Sequence, residues 1–280
     1  MKPLNILPKF VLVWLTLSVT TMIAHAILPI HMAALPNAGA WWTLSNAIVA
    51  AALTFLALKS EIRGWQLALA LSGIPLLVQT VNLVEGKFFL GNVSMPWGSI
   101  FLSGALAQLF AIPGWMLIFR SASAGQPPLR THAFSVTARL WRFVAADGLY
   151  LFLYFFAGIL VFPFVAEYYK TQTIPPLKVI IGLQLLLRGP VFVILCVLMA
   201  RMLRISSWLS ALQVGLIFTI ISGVATLIVP NPFFPDAVRW AHFCEVVSSN
   251  FVFGSLVALL WRTPGPERNP VVHGIPATAA

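Results

Sequence analysis

The sequence predicts an all-α protein, a polytopic transmembrane helix bundle of about eight spans in a possible 4+4 arrangement. Three observations lead there. Only 9% of the residues are charged while 60% are hydrophobic. Apolar runs long enough to cross about 30 Å of hydrocarbon recur along the chain. Lysine and arginine gather in alternate connections between those runs. A water-soluble domain carries about a quarter charged residues. With a mean hydropathy of +0.93, this chain has too few charges to cover a water-facing surface, so its solvent is lipid.

The first run, residues 10–33, follows Lys2 and Lys9. It contains Ala24-His25-Ala26, which resembles a signal-peptide cleavage site. The apolar stretch continues through Ile27, Leu28 and Ile30, which favours an uncleaved anchor. The second run, 41–58, opens on Trp41-Trp42 and closes at Lys59 and Arg63. The third, 65–84, contains Pro75 and ends at Glu85-Gly86-Lys87; the fourth, 98–119, contains Pro113 and ends at Arg120. The polar connection 120–142 carries Arg120, Arg130, Arg139 and Arg142 and divides the spans four and four. The fifth and sixth runs are 143–168 and 179–200, the latter broken by Gly189-Pro190. The seventh and eighth are 208–229 and 241–261. Residues 1–262 thus read as one transmembrane domain, and the Pro-, Gly- and Ala-rich stretch 263–280 as a disordered tail.

Charge placement orients the bundle. Of the 17 lysines and arginines, twelve fall on the side of the two termini and four (Lys87, Lys170, Lys178 and Arg239) on the other; Arg188 lies inside a span. That bias places both termini in the cytoplasm and the protein in the cell inner (cytoplasmic) membrane. The ten tryptophans all fall near expected helix ends, as an interfacial aromatic belt would.

The formal net charge of +10 is scattered in ones and twos, not set as a basic stripe with interleaved aromatics, so nucleic acid is not an expected partner. Cys196 and Cys244 would lie about 20 Å apart in depth, beyond disulfide reach. No Walker phosphate loop, H-E-x-x-H zinc pair or G-x-S-x-G elbow occurs. His242-x-x-Glu245 with His25 could supply metal ligands, and the two histidines haem ligands. Helix-end histidines more often anchor at the interface, so neither a metal nor another cofactor is expected. Asn92-Val93-Ser94 matches a glycosylation acceptor by chance.

Polar side chains in a lipid-soluble bundle should turn inward. Helical spacing aligns Ser18, Thr21 and His25 in the first span, Ser72, Gln79 and Asn82 in the third, and Asp147, Tyr150 and Tyr154 in the fifth. It does the same for Gln184 and Arg188, for Thr219, Ser222 and Thr226, and for His242, Glu245 and Ser249. The second and fourth spans lack such a stripe and are expected at the periphery. Hydroxyl stripes are ordinarily interhelical hydrogen bonds worth about 0.6 kcal/mol each. Ionisable groups say more. Arg188 would sit roughly 15 Å below the outer face, where even the milder insertion scale charges about 2.5–3.5 kcal/mol. Glu245, about 6 Å below that face, is its expected partner, with Glu85 second. Asp147 is expected near the inner face, reaching water as a helix-start charge.

Arg188, Glu245, Glu85, His242, His25, Asn82 and Gln184 therefore form the candidate ligand site, a polar pocket open to the extracytoplasmic side. The leading expectation is a small-solute or lipid-handling transporter, or a transporter component, with a small anionic or lipid ligand on Arg188. A membrane-embedded enzyme acting on a lipid, with a glutamate as general base, and an assembly partner whose Arg–Glu pair only locks the bundle are the alternatives.

Overall fold

The computed structural model describes residues 6–29, 37–89, 96–120, 134–203, 205, 207–230 and 234–262. The tail 263–280, the Asn92-Val93-Ser94 acceptor, most of the connection 120–142, and Lys2, Arg130, Arg204 and Arg268 lie outside the described residues. The described chain forms eight helices long and apolar enough to cross a membrane, and it is a multi-pass integral membrane protein. They are α1 (Ile6–Ile27), α2 (Ala38–Lys59), α3 (Gly64–Phe89), α4 (Trp97–Phe119) and α5 (Val136–Tyr169). The remaining three are α6 (Leu177–Met202), α7 (Trp208–Leu227) and α8 (Asp236–Leu260).

Two helices, α5 and α8, start well over a turn before their apolar runs, at Val136 against 143 and at Asp236 against 241. α5 opens at Val136, where the Ser135 hydroxyl caps it by accepting from the Ala138 N–H at 3.2 Å. Its first two turns are amphipathic. Arg142 lies on them, donates to the Leu260 carbonyl at 2.8 Å and stacks 3.8 Å from the Phe134 ring centre. α8 opens at Asp236, directly after Pro235. There the buried Arg239 donates to the carbonyls of Leu227 at 3.0 Å and Ile228 at 3.3 Å and pairs with Asp236 at 2.8 Å. The guanidinium thereby satisfies orphan carbonyls at the end of α7.

Packing divides the bundle into neighbourhoods. α1 packs on α2 and α4, α3 on α4, and α8 on both α5 and α7; α2 and α3 join the two halves through α6 and α7. The expected peripheral place of the second span is thus corrected. Ala50, Leu53, Leu56 and Ala57 are buried, and the Ser45 hydroxyl donates to the Ala225 carbonyl of α7 at 2.6 Å. A run of alanines on a membrane helix lets backbones approach closely, so the absence of a polar stripe says little about position. α7 and α8 approach closely: a Cβ on Gly215 would stand 2.6 Å from the Phe251 carbonyl oxygen, and one on Gly254 3.0 Å from the Gly215 Cα.

Trp115 departs from the interfacial belt. It is 1% exposed, and its indole N–H donates to the Ser72 hydroxyl at 2.9 Å, which donates in turn to the Gln108 carbonyl at 2.9 Å. Being near a helix end did not place it at the surface; a polar partner on α3 drew it inward.

Both α6 and α7 widen by a π-turn, at Gln184–Arg188 and Ile220–Val224. In α6 the Gly189 N–H returns to the Gln184 carbonyl, immediately ahead of Pro190, which has no N–H to give and whose ring crowds the preceding turn. The kink expected at Gly189-Pro190 is therefore taken up as a bulge. Such bulges recur at functional sites, and this one turns Gln184 and Arg188 inward, both buried.

Candidate functional site

Arg188 lies within about 2 Å of the midpoint of α6 along the helix axis. Its Nη1 donates to Glu85 Oε2 of α3, and Gln184 Nε2 donates to Glu85 Oε1 at 2.9 Å. The side chains of Arg188 and Glu85 are only 11% and 17% exposed, so the pair is largely desolvated. The partner of Arg188 is therefore Glu85 and not Glu245. Two donors one helical turn apart on α6 grip both oxygens of one carboxylate, a fit that a single charge-to-charge distance in depth does not capture.

Glu245 is held otherwise. Its Oε2 accepts from His242 Nδ1 at 2.7 Å, and His242 Nε2 lies 2.8 Å from the Tyr169 hydroxyl at the end of α5. An ionised carboxylate can only accept. The imidazole proton then sits on Nδ1, and Nε2 accepts from Tyr169. Glu245 stands nine residues into α8, about 14 Å along the axis from Asp236.

The two polar groups meet at a narrow cavity. Arg188, Glu245, Tyr150, Tyr154, Ser249 and Asn250 line it, and its volume of about 30 Å³ has room for one or two waters. It is not the open pocket that the sequence suggested. Asn250 Nδ2 donates to the Ser222 hydroxyl at 2.8 Å, tying the wall to the π-turn of α7. Beside the cavity runs a wider groove of about 310 Å³ between α5 and α8. Phe156, Leu160 and Val252 form its apolar walls; Leu153, Glu245 and Ser249 belong to both spaces. Phe156 is 51% and Leu160 59% exposed, so the groove opens sideways, toward the lipid.

Its polar edge is rich in acceptors. Ser248 donates to the Cys244 carbonyl and Ser249 to the Glu245 carbonyl, each at 2.7 Å, so both hydroxyl protons are spent on their own helix and the lone pairs remain. Glu245 Oε1 faces Gly158, where a Cβ would stand 3.6 Å away.

Of the residues expected at the site, Arg188, Glu85 and Gln184 form one cluster and His242 and Glu245 a second, joined by the cavity. Asn82 stands one turn before Glu85 with its Oδ1 buried and unpartnered. His25 is elsewhere: exposed, it contacts the Thr21 carbonyl at 2.8 Å on α1, which packs on α2 and α4. Sequence reasoning missed Tyr169, Asn250 and the groove. The stripe Asp147–Tyr150–Tyr154 was the available signal, since its continuation through Gly158 faces Glu245.

Comparison with known proteins gives no match: no family model fits the chain, and neither a curated protein nor a solved structure matches it.

Proposed function

We propose that this protein is a lipid-handling transporter: a lipid-like amphiphile enters sideways from the bilayer, rests its chain between α5 and α8, and is passed between the leaflets. The observation that carries this reading is the continuity of the apolar groove with the polar cavity through Leu153, Glu245 and Ser249. A water-soluble substrate would need an aqueous chamber, and the cavity admits only one or two waters. Arg188 is already engaged by Glu85, while Glu245 and the two serines offer acceptors. The headgroup that fits therefore donates hydrogen bonds, as an amine or a hydroxyl does, and Arg188 serves to hold the bulge rather than to bind an anion.

The test is photo-crosslinking in nanodiscs with phosphatidylethanolamine carrying a diazirine in one acyl chain. Adducts should concentrate at Phe156, Leu160 and Val252, and Leu160→Trp, which fills the groove, should remove them. Adducts spread evenly over the lipid-facing helices would overturn the reading. A second reading, an enzyme acting on the same amphiphile, is favoured by the His242–Glu245 pair, an imidazole oriented by a carboxylate as in general-base sites. Conversion of the bound lipid by purified protein separates the two.

A further inference from the structure

A further carboxylate inside the bundle is Asp147, and its setting differs from that of every other acid among the described residues. Asp147 stands eleven residues into α5, which opens at Val136; it is half-buried and level with Gly189, near the midpoint of α6. Its carboxylate lies directly against Gly189 of α6, beside Arg188, in space that any other side chain at 189 would fill. Oδ1 is buried without a hydrogen-bond partner. Glu85, Glu167, Asp236 and Glu245 each have a cationic or imidazole partner, and Glu61 is engaged as well.

We propose that Asp147 is a proton-binding site in the middle of the membrane, loaded from the Tyr169 end of the bundle through Tyr169, His242, Glu245 and the cavity beside Arg188. A lone carboxylate among backbone and apolar groups is costly unless a cation or a proton joins it. Arg188 is turned to Glu85, and no group of three His, Cys, Asp or Glu side chains among the described residues could hold a metal ion. A proton needs no ligand beyond the carboxylate itself, and it is the cation assigned here.

The path follows from the hydrogen bonds. A proton arriving from water at the Tyr169 hydroxyl displaces the phenolic proton to His242 Nε2. The Nδ1 proton passes to Glu245 Oε2, and the neutral glutamic acid releases it to cavity water. The cavity that would hold this water is lined by Tyr150, Tyr154 and Arg188, and Tyr150 is one turn of α5 from Asp147. One proton enters and one leaves; Tyr169 and Glu245 regain their starting protonation, while His242 is left with its proton on Nε2 and must return it to Nδ1, by a ring flip or exchange with water, before the next passage. The helices packed on α5 are α6 and α8. The ionisable groups that they and α5 itself bring toward this path are Arg188, Glu245, His242, Tyr150, Tyr154 and Tyr169, so a proton on Asp147 also responds to the state of Glu245. The charge bias of the connections makes the Tyr169 end extracytoplasmic, which would draw the proton inward. The inference stands without the amphiphile, because none of these groups needs the apolar groove to be filled.

The chain contains two aspartates, Asp147 and Asp236, and Asp236 is exposed and paired with Arg239. Aspartate-selective ¹³C labelling with infrared spectroscopy in nanodiscs therefore reads Asp147 without any substitution. The expected result is an isotope-shifted carbonyl band of a neutral carboxylic acid at pH 7, absent in Asp147→Asn. His242→Gln should leave that band in place at equilibrium but slow its shift on transfer to D₂O at least tenfold. A wild-type spectrum showing only ionised aspartate would overturn the proton site, and unchanged exchange in His242→Gln would overturn the route. Lipid adducts in Asp147→Asn should stay at the wild-type level, so failure of this inference is distinguishable from failure of the amphiphile reading.

Discussion

Replacing Glu85 with alanine should cost far more than its near-surface position suggests. The carboxylate takes one bond from Arg188 and a second, at 2.9 Å, from Gln184. Once it is gone, a guanidinium that is 11% exposed remains near the middle of α6 with no counter-charge. Breaking a buried pair on one side costs about 3–5 kcal/mol, whereas removing both charges is often neutral. The lower end is the better expectation here, because a membrane-unfolded state also offers partners. That is still more than about a hundredfold in the folded-to-unfolded ratio. The protein provides its own control in Lys170–Glu167, a pair 67% and 87% exposed at 2.6 Å, for which Glu167→Ala should cost at most about 1 kcal/mol. Reversible unfolding in bicelles would compare Glu85→Ala, Glu167→Ala, Arg188→Met and the double variant Glu85→Leu/Arg188→Met. The double variant should recover most of the loss, giving a coupling well beyond additivity. A Glu85→Ala protein as stable as Glu167→Ala would refute the reasoning.

Two further perturbations follow from the packing. Arg239→Ala leaves the carbonyls of Leu227 and Ile228 without their charged donor and should cost about 1.5–3 kcal/mol; unfolding in the same bicelles measures it, with lipid adducts at Val252 retained. Gly215→Ala sets a methyl 2.6 Å from the Phe251 carbonyl oxygen and 3.0 Å from the Ser255 nitrogen. Because these are backbone atoms, α7 and α8 must separate, and a loss of about 1–3 kcal/mol is expected in the same assay.

Eight membrane-length helices were legible because nothing else explains so much apolar sequence between so few charges. The surroundings of the ionisable groups were not legible, for a specific reason. An apolar run marks the hydrocarbon, while a helix continues through amphipathic turns outside it. Val136–Arg142 and Asp236–Trp240 are such turns; what surrounds the acids is decided by packing, which sets Asp147 against Gly189 near the midpoint of α6 and Glu245 on the same cavity as Arg188. Pairing was hidden as well. Arg188 and Glu245 stand on adjoining walls of one cavity, yet the carboxylate that Arg188 grips comes from α3, and only helix neighbourhood decides that. The π-turn was half legible, since Gly189-Pro190 announces a defect but not its kind. His25 shows the limit of stripe arguments: three polar residues aligned on α1 mark a face, and Thr16 and Thr20 show how such residues are satisfied, by the carbonyl four positions back at 2.8 Å.

The account is tested most directly by following phosphatidylethanolamine with a fluorescent acyl chain in unilamellar vesicles containing the purified protein. The rate at which inner-leaflet label becomes accessible to an impermeant quencher reports its movement. The account predicts faster movement than in protein-free vesicles, reduced to the protein-free rate by Leu160→Trp. Equal rates with and without wild-type protein would contradict it.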